Sequence, residues 1–273
     1  MFELINEIKD RHRQMKERAD NIHVEEKQEI PKEEDIQLET GKCYQIRNVT
    51  ALYYDLCGST NLSDISHATT MAKIYEFFTG AYSSFLRLFE ADYKEMHGDG
   101  GYGLWRGVYG DVRALLTAVT FKTYLEKLPS SYLPSNIKEI QGRAGIARGT
   151  VLVKKVGERN TGNHRQNWLV WSGKPLNKAA ELCKKTKENT IAVEEKVKNV
   201  FKKDEFKDYL YKSCDCGRNS CLWTEEPENY LLVDEPAYYC LKTIWCINDG
   251  TGETGKGHGI DYINAVFDII RRN

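Results

Sequence analysis

Two carboxylates, each flanked by glycine-containing turns, are the residues of this sequence best suited to chemistry. Asp55 ends the apolar and aromatic run at residues 51–54, and the small turn Gly58-Ser59-Thr60 follows it. Asp99 lies in the glycine-rich segment His97-Gly98-Asp99-Gly100-Gly101. Carboxylates suit Mg²⁺ and Mn²⁺, and the backbone N–H groups of a turn that opens a helix suit phosphate. The pair therefore predicts a site for two divalent cations and a phosphoryl or nucleotidyl transfer.

Strand and helix patterns predict how the two carboxylates are held. Residues 48–56 are typical of a buried central strand, and residues 69–90 carry apolar side chains at helical spacing. Asp99 falls between short strands at 91–96 and 102–105, in a turn where glycine supplies positive φ. The further predicted elements are a helix at 111–128, strand segments at 144–147 and 150–153, a strand at 168–171, a helix at 175–186 and a strand at 190–193.

The order of these elements is β-α-β-β-α-β with a hairpin-like extension. It predicts an α+β fold in which helices pack on an antiparallel sheet. Residues 1–30 predict a charged helix with a thin apolar stripe, which either caps its own domain or contacts another chain. We therefore expect an N-terminal helix and linker at 1–40, a catalytic domain at 41–200 and a C-terminal extension packed on it at 201–273.

Composition limits the classes of protein to consider. The chain has 273 residues and a net charge of −1, which argues against a nucleic-acid scaffold. No apolar run is long enough to span a membrane and no secretory leader is visible, so we expect a cytoplasmic protein without direct nucleic-acid or membrane binding. We expect the eight cysteines to be reduced thiols. The spacing of Cys214, Cys216 and Cys221 is unlike that of zinc fingers, which favours free thiols over structural zinc.

Four segments, in the same order along the chain, resemble the signatures of the class III nucleotidyl cyclases. The first is the strand that ends at Asp55 with its turn, and the second is Gly98-Asp99 in the hairpin. Residues 143–149 match Arg-x-Gly-Ile-x-x-Gly, and residues 173–180 match Gly-x-x-x-Asn-x-Ala followed by a small residue. The resemblance implies the ferredoxin-like βαββαβ core of that family, with extra strands.

The resemblance also implies a head-to-tail homodimer whose active sites are shared between protomers. One protomer would bind two Mg²⁺ or Mn²⁺ ions through Asp55, Asp99 and the backbone carbonyl of Leu56. The other would orient the ribose of a nucleoside triphosphate with Asn177. The ribose 3′-hydroxyl would then attack the α-phosphate and release pyrophosphate.

One catalytic position departs from the family. Glu181 stands where the family has the arginine that stabilises the transition state, and a carboxylate cannot stabilise developing negative charge. An active enzyme would need another cation. The candidates are Lys178 and Arg106, together with Lys174, Arg148, Arg159 and Arg165.

The positions that contact the base depart from the purine cyclases as well. Glu95 stands where adenylate cyclases have lysine, as in guanylate cyclases, and Val170 replaces a polar partner. Tyr53 and Tyr54 add aromatic bulk beside Asp55, which would narrow the base pocket and disfavour purines. Alternatively, Tyr54 packs into the helix layer, because adjacent strand residues face opposite sides of a sheet.

These features are most similar to the pyrimidine cyclases of bacterial Pycsar anti-phage systems. That resemblance implies conversion of CTP or UTP to the cyclic monophosphate, which activates a separate effector protein, and the sequence does not choose between CTP and UTP. Two alternatives stay open. One is a guanylate or adenylate cyclase; the other is a cyclase domain without turnover that binds a nucleotide or a partner, for which Glu181 is the best support.

Overall fold

The chain forms two compact units in its computed structural model. One comprises residues 48–149 and 174–273, and the other comprises residues 1–47 and 150–173. The structure describes residues 2–36, 41–59, 62, 67–107, 109–135, 137–157, 167–202, 238–241, 244–245 and 267–271. Thr60, Arg159, Arg165 and the cluster of Cys214, Cys216 and Cys221 lie outside these ranges, as does most of the expected C-terminal extension. The expected domain boundaries at 40 and 200 stay predictions.

The described residues form both helices and strands. The helices are α1 Phe2–Asp20, α2 Ala68–Tyr75, α3 Ala81–Leu88, α4 Gly110–Lys127, α5 Lys174–Lys185 and α6 Glu195–Lys198, and residues 267–271 are also helical. The strands are β1 His23–Lys27, β2 Lys42–Leu56, β3 Tyr93–His97, β4 Gly100–Arg106, β5 Gly142–Gly157, β6 Asn167–Gly173, β7 Ile191–Glu194 and β8 Tyr238–Leu241. A π-helical turn at Glu76–Gly80 joins α2 to α3.

The larger unit contains the predicted core. Its strands lie in the order β3-β4-β2-β5-β7-β8, and β2 to β5 with their intervening helices follow the expected β-α-β-β-α-β sequence. β4 is antiparallel to both β2 and β3, but β7 is parallel to β5. The sheet is therefore mixed rather than antiparallel, because the crossover through α5 returns the chain in the same direction.

Two sequence-based element assignments were wrong. Gly149 does not interrupt β5, which is one continuous strand where two were expected. The N-terminal helix ends at Asp20 instead of continuing to residue 30. His23–Lys27 form a strand parallel to the start of β2 in the smaller unit, where β6 also pairs with the end of β5. Among the described helices, none combines the length and the apolar character that a membrane crossing requires.

An aromatic cluster packs β2 of the larger unit against its helices. The ring of Tyr54 lies 4.8 Å from that of Phe121 in α4 and 5.5 Å from that of Tyr82 in α3. On the same helix α4, Thr123 Oγ1 accepts a 2.9 Å hydrogen bond from the Trp245 backbone N–H. Tyr54 is 1% exposed, so this packing fixes the strand that ends at Asp55.

Gly145 lets β5 approach α5 closely. A Cβ atom at this position would lie 2.0 Å from the carbonyl oxygen of Ala179 and 2.6 Å from the backbone nitrogen of Cys183. Both are backbone atoms of a helix that cannot move aside independently. Gly145, the first glycine of the third sequence motif, is thus required by helix-to-strand packing.

We expect Gly145→Ala to destabilise the fold, because its methyl group must push α5 away from β5. The expected cost is about 1–3 kcal/mol, which lowers the melting temperature by roughly 3–10 °C. The measurement is thermal unfolding followed by circular dichroism. Ser84→Thr adds a methyl group at an exposed helical position and serves as control. An unchanged melting temperature for Gly145→Ala would contradict the close approach.

Candidate active site

The two carboxylates predicted from the sequence lie side by side at one end of the β2–β4 pair. Asp55 is directly opposite Gly100 in the antiparallel register, and Asp99 immediately precedes Gly100. The backbone N–H of Leu56 donates a 3.1 Å hydrogen bond to the carbonyl oxygen of Asp99. The structure therefore holds both acidic residues by backbone pairing, independently of any side-chain contact.

Glycine makes room for this arrangement. Gly98 turns the hairpin with a φ of 58°, which glycine adopts without strain. A Cβ atom on Gly100 would lie 2.8 Å from the carbonyl oxygen of Tyr54 and 3.0 Å from Oδ1 of Asp55. Any other residue at position 100 would displace the Asp55 carboxylate.

Arg143 contacts the first carboxylate. Its Nη2 atom lies 3.2 Å from Oδ2 of Asp55, and both side chains are partly buried. Burial raises the pKa of Asp55, the hydrogen bond from Arg143 opposes this, and the neighbouring charge of Asp99 raises the pKa further. Sequence reasoning did not include Arg143 among the site residues, although it opens the third motif.

The donor atoms present fit a pair of divalent cations. Two adjacent carboxylates with unfavourable mutual charge, together with backbone carbonyl oxygens, match the oxygen-only ligands of Mg²⁺ and Mn²⁺. Among the described residues, no cluster of three or more histidine, cysteine, aspartate or glutamate side chains could form a metal centre by itself. Asp55 and Asp99 would hold cations only with the help of backbone, water or substrate oxygens.

The segment after Asp55 forms the predicted turn. The Cys57 N–H donates to the carbonyl oxygen of Gln141 at 2.9 Å, and Gly58 has a φ of 69°. The N–H of Leu62 donates to the carbonyl oxygen of Gly58, as in the first turn of a helix. Ser59 is partly buried at this helical start, close in sequence to Asp55.

The two tyrosines before Asp55 have different surroundings. Tyr54 is buried in the helix layer, as the alternative interpretation of the sequence expected. Tyr53 is on the opposite face, which it shares with Asp55, because strand residues alternate between faces. Burial and the nearby Asp55 charge raise the pKa of Tyr53, so its hydroxyl keeps its proton. Of these two tyrosines, Tyr53 is therefore the one on the face of Asp55.

Glu95 is surrounded by hydrogen-bond donors on the β3–β4 hairpin. Its Oε2 atom accepts hydrogen bonds from the hydroxyls of Tyr102, at 2.5 Å, and Tyr93, at 3.0 Å. Its Oε1 atom lies 3.2 Å from Nε2 of His97. Sequence reasoning named Glu95 as a substrate-binding candidate and neither tyrosine: Tyr93 alternates with Glu95 along β3, whereas Tyr102 reaches it only through the hairpin register.

The residues of the fourth motif lie on α5. Asn177 is exposed near the start of that helix. Lys178 Nζ is 3.5 Å from Oε2 of Glu181, which also pairs with Lys185. The hydrogen bond from Lys185, and then the charge of Lys178, lower the pKa of Glu181. The carboxylate of Glu181, which stands where the family has arginine, is thus neutralised by lysines of its own helix.

The remaining candidates have surroundings of their own. Arg106 ends β4 six residues beyond Gly100, roughly 20 Å away at the usual strand rise. Arg148 Nη1 donates a 2.7 Å bond to the buried carboxylate of Asp111, whose pKa burial raises to about 6. Val170 lies on β6 of the smaller unit, opposite Lys154, with an exposed side chain.

Comparison with proteins of known function finds two relatives with the same name. A uridylate cyclase of Propioniciclava tarda is 30% identical over an alignment of 232 residues, which covers 82% of this chain and 73% of that enzyme. A uridylate cyclase of Micromonospora echinofusca is 28% identical over an alignment of 251 residues, which covers 86% of this chain and 74% of that enzyme. No protein-family model matches the chain.

Solved structures share the fold. The guanylyl cyclase Cya2 is 17% identical with a TM-score of 0.55, over 79% of this chain and 98% of its own. The catalytic core of a rhodopsin-guanylyl cyclase with converted specificity, in complex with ATPαS, is 15% identical with a TM-score of 0.54, over 74% and 98%. The adenylyl cyclase CyaB of P. aeruginosa is 16% identical with a TM-score of 0.52, over 59% and 82%. This chain therefore belongs to the class III nucleotidyl cyclases, a family of phosphorus–oxygen lyases, and within it resembles the pyrimidine cyclases.

Proposed function

We propose that this cyclase converts UTP to 3′,5′-cyclic UMP and pyrophosphate. The observation that carries the proposal is the match of most of the chain to two proteins named uridylate cyclase. Tyr53 supports it physically, because a large ring beside Asp55 leaves less room for a purine. CTP is the nearest competing substrate, and a purine triphosphate is less compatible with that ring.

The chemistry is an intramolecular displacement at the α-phosphorus. The ribose 3′-oxygen forms a bond to the α-phosphorus, the bond to the bridging oxygen of the β-phosphate breaks, and the hydroxyl proton passes to water. Pyrophosphate leaves with the bridging oxygen. The protein has to hold the 3′-oxygen in line with the leaving group and to stabilise negative charge.

We infer that Asp55, Asp99 and the carbonyl of Leu56 hold two divalent cations, Mg²⁺ or Mn²⁺. When bound, these ions lower the pKa of the attacking hydroxyl and neutralise charge on the leaving group. Arg143, paired with Asp55, adds a permanent positive charge that favours a triphosphate. The backbone N–H groups at Gly58 and Ser59 begin a helical turn and would donate to phosphate oxygens.

We propose that the second half of each site comes from another copy of the chain. Asn177 is exposed and would be free to orient the ribose in a partner's site. Lys178 lies one residue away, but Glu181 already neutralises it in part. The transition-state cation would come from Lys178, released from Glu181 when the substrate binds.

We also propose that the product is a signal in anti-phage defence, sensed by a separate effector protein. This role follows from the resemblance to the Pycsar pyrimidine cyclases.

Product analysis tests the proposed reaction. Purified protein is incubated with each of the four ribonucleoside triphosphates and Mn²⁺, and products are identified by mass. Cyclic UMP is expected as the main product. The Asp55→Ala variant should form about 10²–10³-fold less cyclic UMP, because charge stabilisation is lost. Cyclic AMP or cyclic GMP alone would refute the pyrimidine assignment. Absence of any product would support the alternative of a nucleotide-binding domain without turnover, for which Glu181 is the specific observation.

Mixing inactive variants tests the shared site. Asp55→Ala and Asn177→Ala should each be inactive as homodimers. A symmetric dimer shares two equivalent sites, so an equal mixture refolded together should recover about a quarter of wild-type activity through heterodimers with one intact site. No recovery, with both variants folded and exchanging subunits, would place all catalytic groups within one chain.

Measurement of nucleotides in infected cells tests the defence role. Bacteria that carry the cyclase gene should accumulate cyclic UMP after phage addition, whereas those with Asp55→Ala should not. Mass spectrometry of cell extracts before and after infection gives the result. Equal cyclic UMP in infected and uninfected cells would argue against phage-triggered signalling.

A further inference from the structure

Glu95 is held by three side chains of the β3–β4 hairpin. Two phenolic hydroxyls, those of Tyr93 and Tyr102, donate to the same oxygen, Oε2, at 3.0 and 2.5 Å. The other oxygen, Oε1, lies 3.2 Å from Nε2 of His97. The carboxylate is therefore fixed in orientation: both phenols contact Oε2, and His97 contacts one side of Oε1.

Burial and ring packing hold the two tyrosines that donate hydrogen bonds to Glu95. Tyr102 is 7% exposed, and its ring lies 5.7 Å from the His97 ring in a stacked arrangement. Burial and the bond to Glu95 raise the pKa of Tyr102 well above its usual value, so that hydroxyl stays a donor. The Tyr93 ring lies 6.1 Å from that of Tyr102. Together, Tyr93 and Tyr102 form a phenol pair that orients Glu95.

The phenol pair lies on the same sheet face as the aromatic residue of the site. Glu95 is directly opposite Tyr102 in the β3–β4 register, and Tyr102 is directly opposite Tyr53 in the β2–β4 register. Directly opposed residues of antiparallel strands face the same side. Glu95 keeps 29% of its side chain exposed. A planar base resting on Tyr53 would thus meet an oriented carboxylate at its edge.

A carboxylate accepts hydrogen bonds and donates none. Uracil carries a proton on N3, whereas cytosine carries a lone pair there. A carboxylate oxygen has two acceptor lone pairs, so an N3–H group would fill the second acceptor position of Glu95 Oε1, beside His97. A cytosine N3 at the same point would place two acceptors against each other, which costs the full desolvation of both groups.

We propose, on the basis of the proposed function, that Tyr93 and Tyr102 are positioning residues that aim Oε1 of Glu95 at the N3–H group of uracil. The hairpin thereby selects UTP over CTP. The tyrosines act through Glu95, and their loss should change the choice of base more than the rate of cyclisation.

Binding of two analogues tests this inference without requiring turnover. The uridine and cytidine α,β-methylene triphosphates have a methylene group in place of the oxygen between the α- and β-phosphorus, so cyclisation cannot occur. Calorimetry gives the dissociation constant of each with the full-length protein. The variants are Glu95→Gln, whose amide can donate to cytosine N3, and the double variant Tyr93→Phe with Tyr102→Phe. Tyr132→Phe is the matched control, since Tyr132 is 63% exposed.

The wild type should bind the uridine analogue at least about tenfold more tightly than the cytidine analogue. Glu95→Gln should abolish or reverse that preference, and the double phenylalanine variant should reduce it by about three- to tenfold. Tyr132→Phe should leave it unchanged. Thermal unfolding establishes that each variant is folded.

Equal binding of both analogues by the wild type, or an unchanged preference in the double variant, would overturn the inference. A second measurement separates this failure from that of the proposed function. If the wild type makes cyclic UMP and the double variant keeps the same UTP-to-CTP ratio of kcat/KM, the positioning role alone is refuted. If the protein makes no cyclic UMP but shows the expected binding pattern, the positioning role stands and the catalytic proposal fails.

Discussion

The site depends on holding two like charges next to each other. Charge repulsion favours separation of the Asp55 and Asp99 side chains. The hydrogen bond from the Leu56 N–H to the Asp99 carbonyl and the β2–β4 register hold the two residues together. Burial and mutual repulsion raise the pKa of Asp55 against the opposing contact from Arg143. The folded backbone thus maintains an unfavourable electrostatic arrangement, which divalent cations would relieve.

The same strand serves the core and the site, because its residues alternate between faces. Tyr54 fills the aromatic cluster of the helix layer, while Tyr53 and Asp55 are on the other face. A slip of one residue in the register would bury Asp55 among aromatic rings and expose Tyr54. The register of β2 therefore sets both the core packing and the site geometry. For this reason the strand and its turn form the most recognisable motif of the sequence.

The sequence predicted those parts of the site that are local in the chain. Asp55, Asp99 and the glycine turn could be identified because each motif carries its own geometry, and the order of elements gave the core. Contacts between distant segments could not be predicted. The Arg143–Asp55 pair depends on which strands are neighbours, and the parallel strand at His23–Lys27 is stabilised by a partner that its own pattern does not reveal. The bonds to Glu95 depend on the hairpin register in the same way.

The close approach at Gly145 connects the strand that carries Arg143 with the helix that carries Asn177. β5 carries Arg143, which contacts Asp55, and two residues later it touches the backbone of the helix that carries Asn177. A displacement of β5 at Gly145 toward α5 would therefore push on the backbone of that helix. In a dimer with shared sites, these groups of one protomer would belong to different active centres. In such a dimer, a displacement of β5 would reach both centres at once.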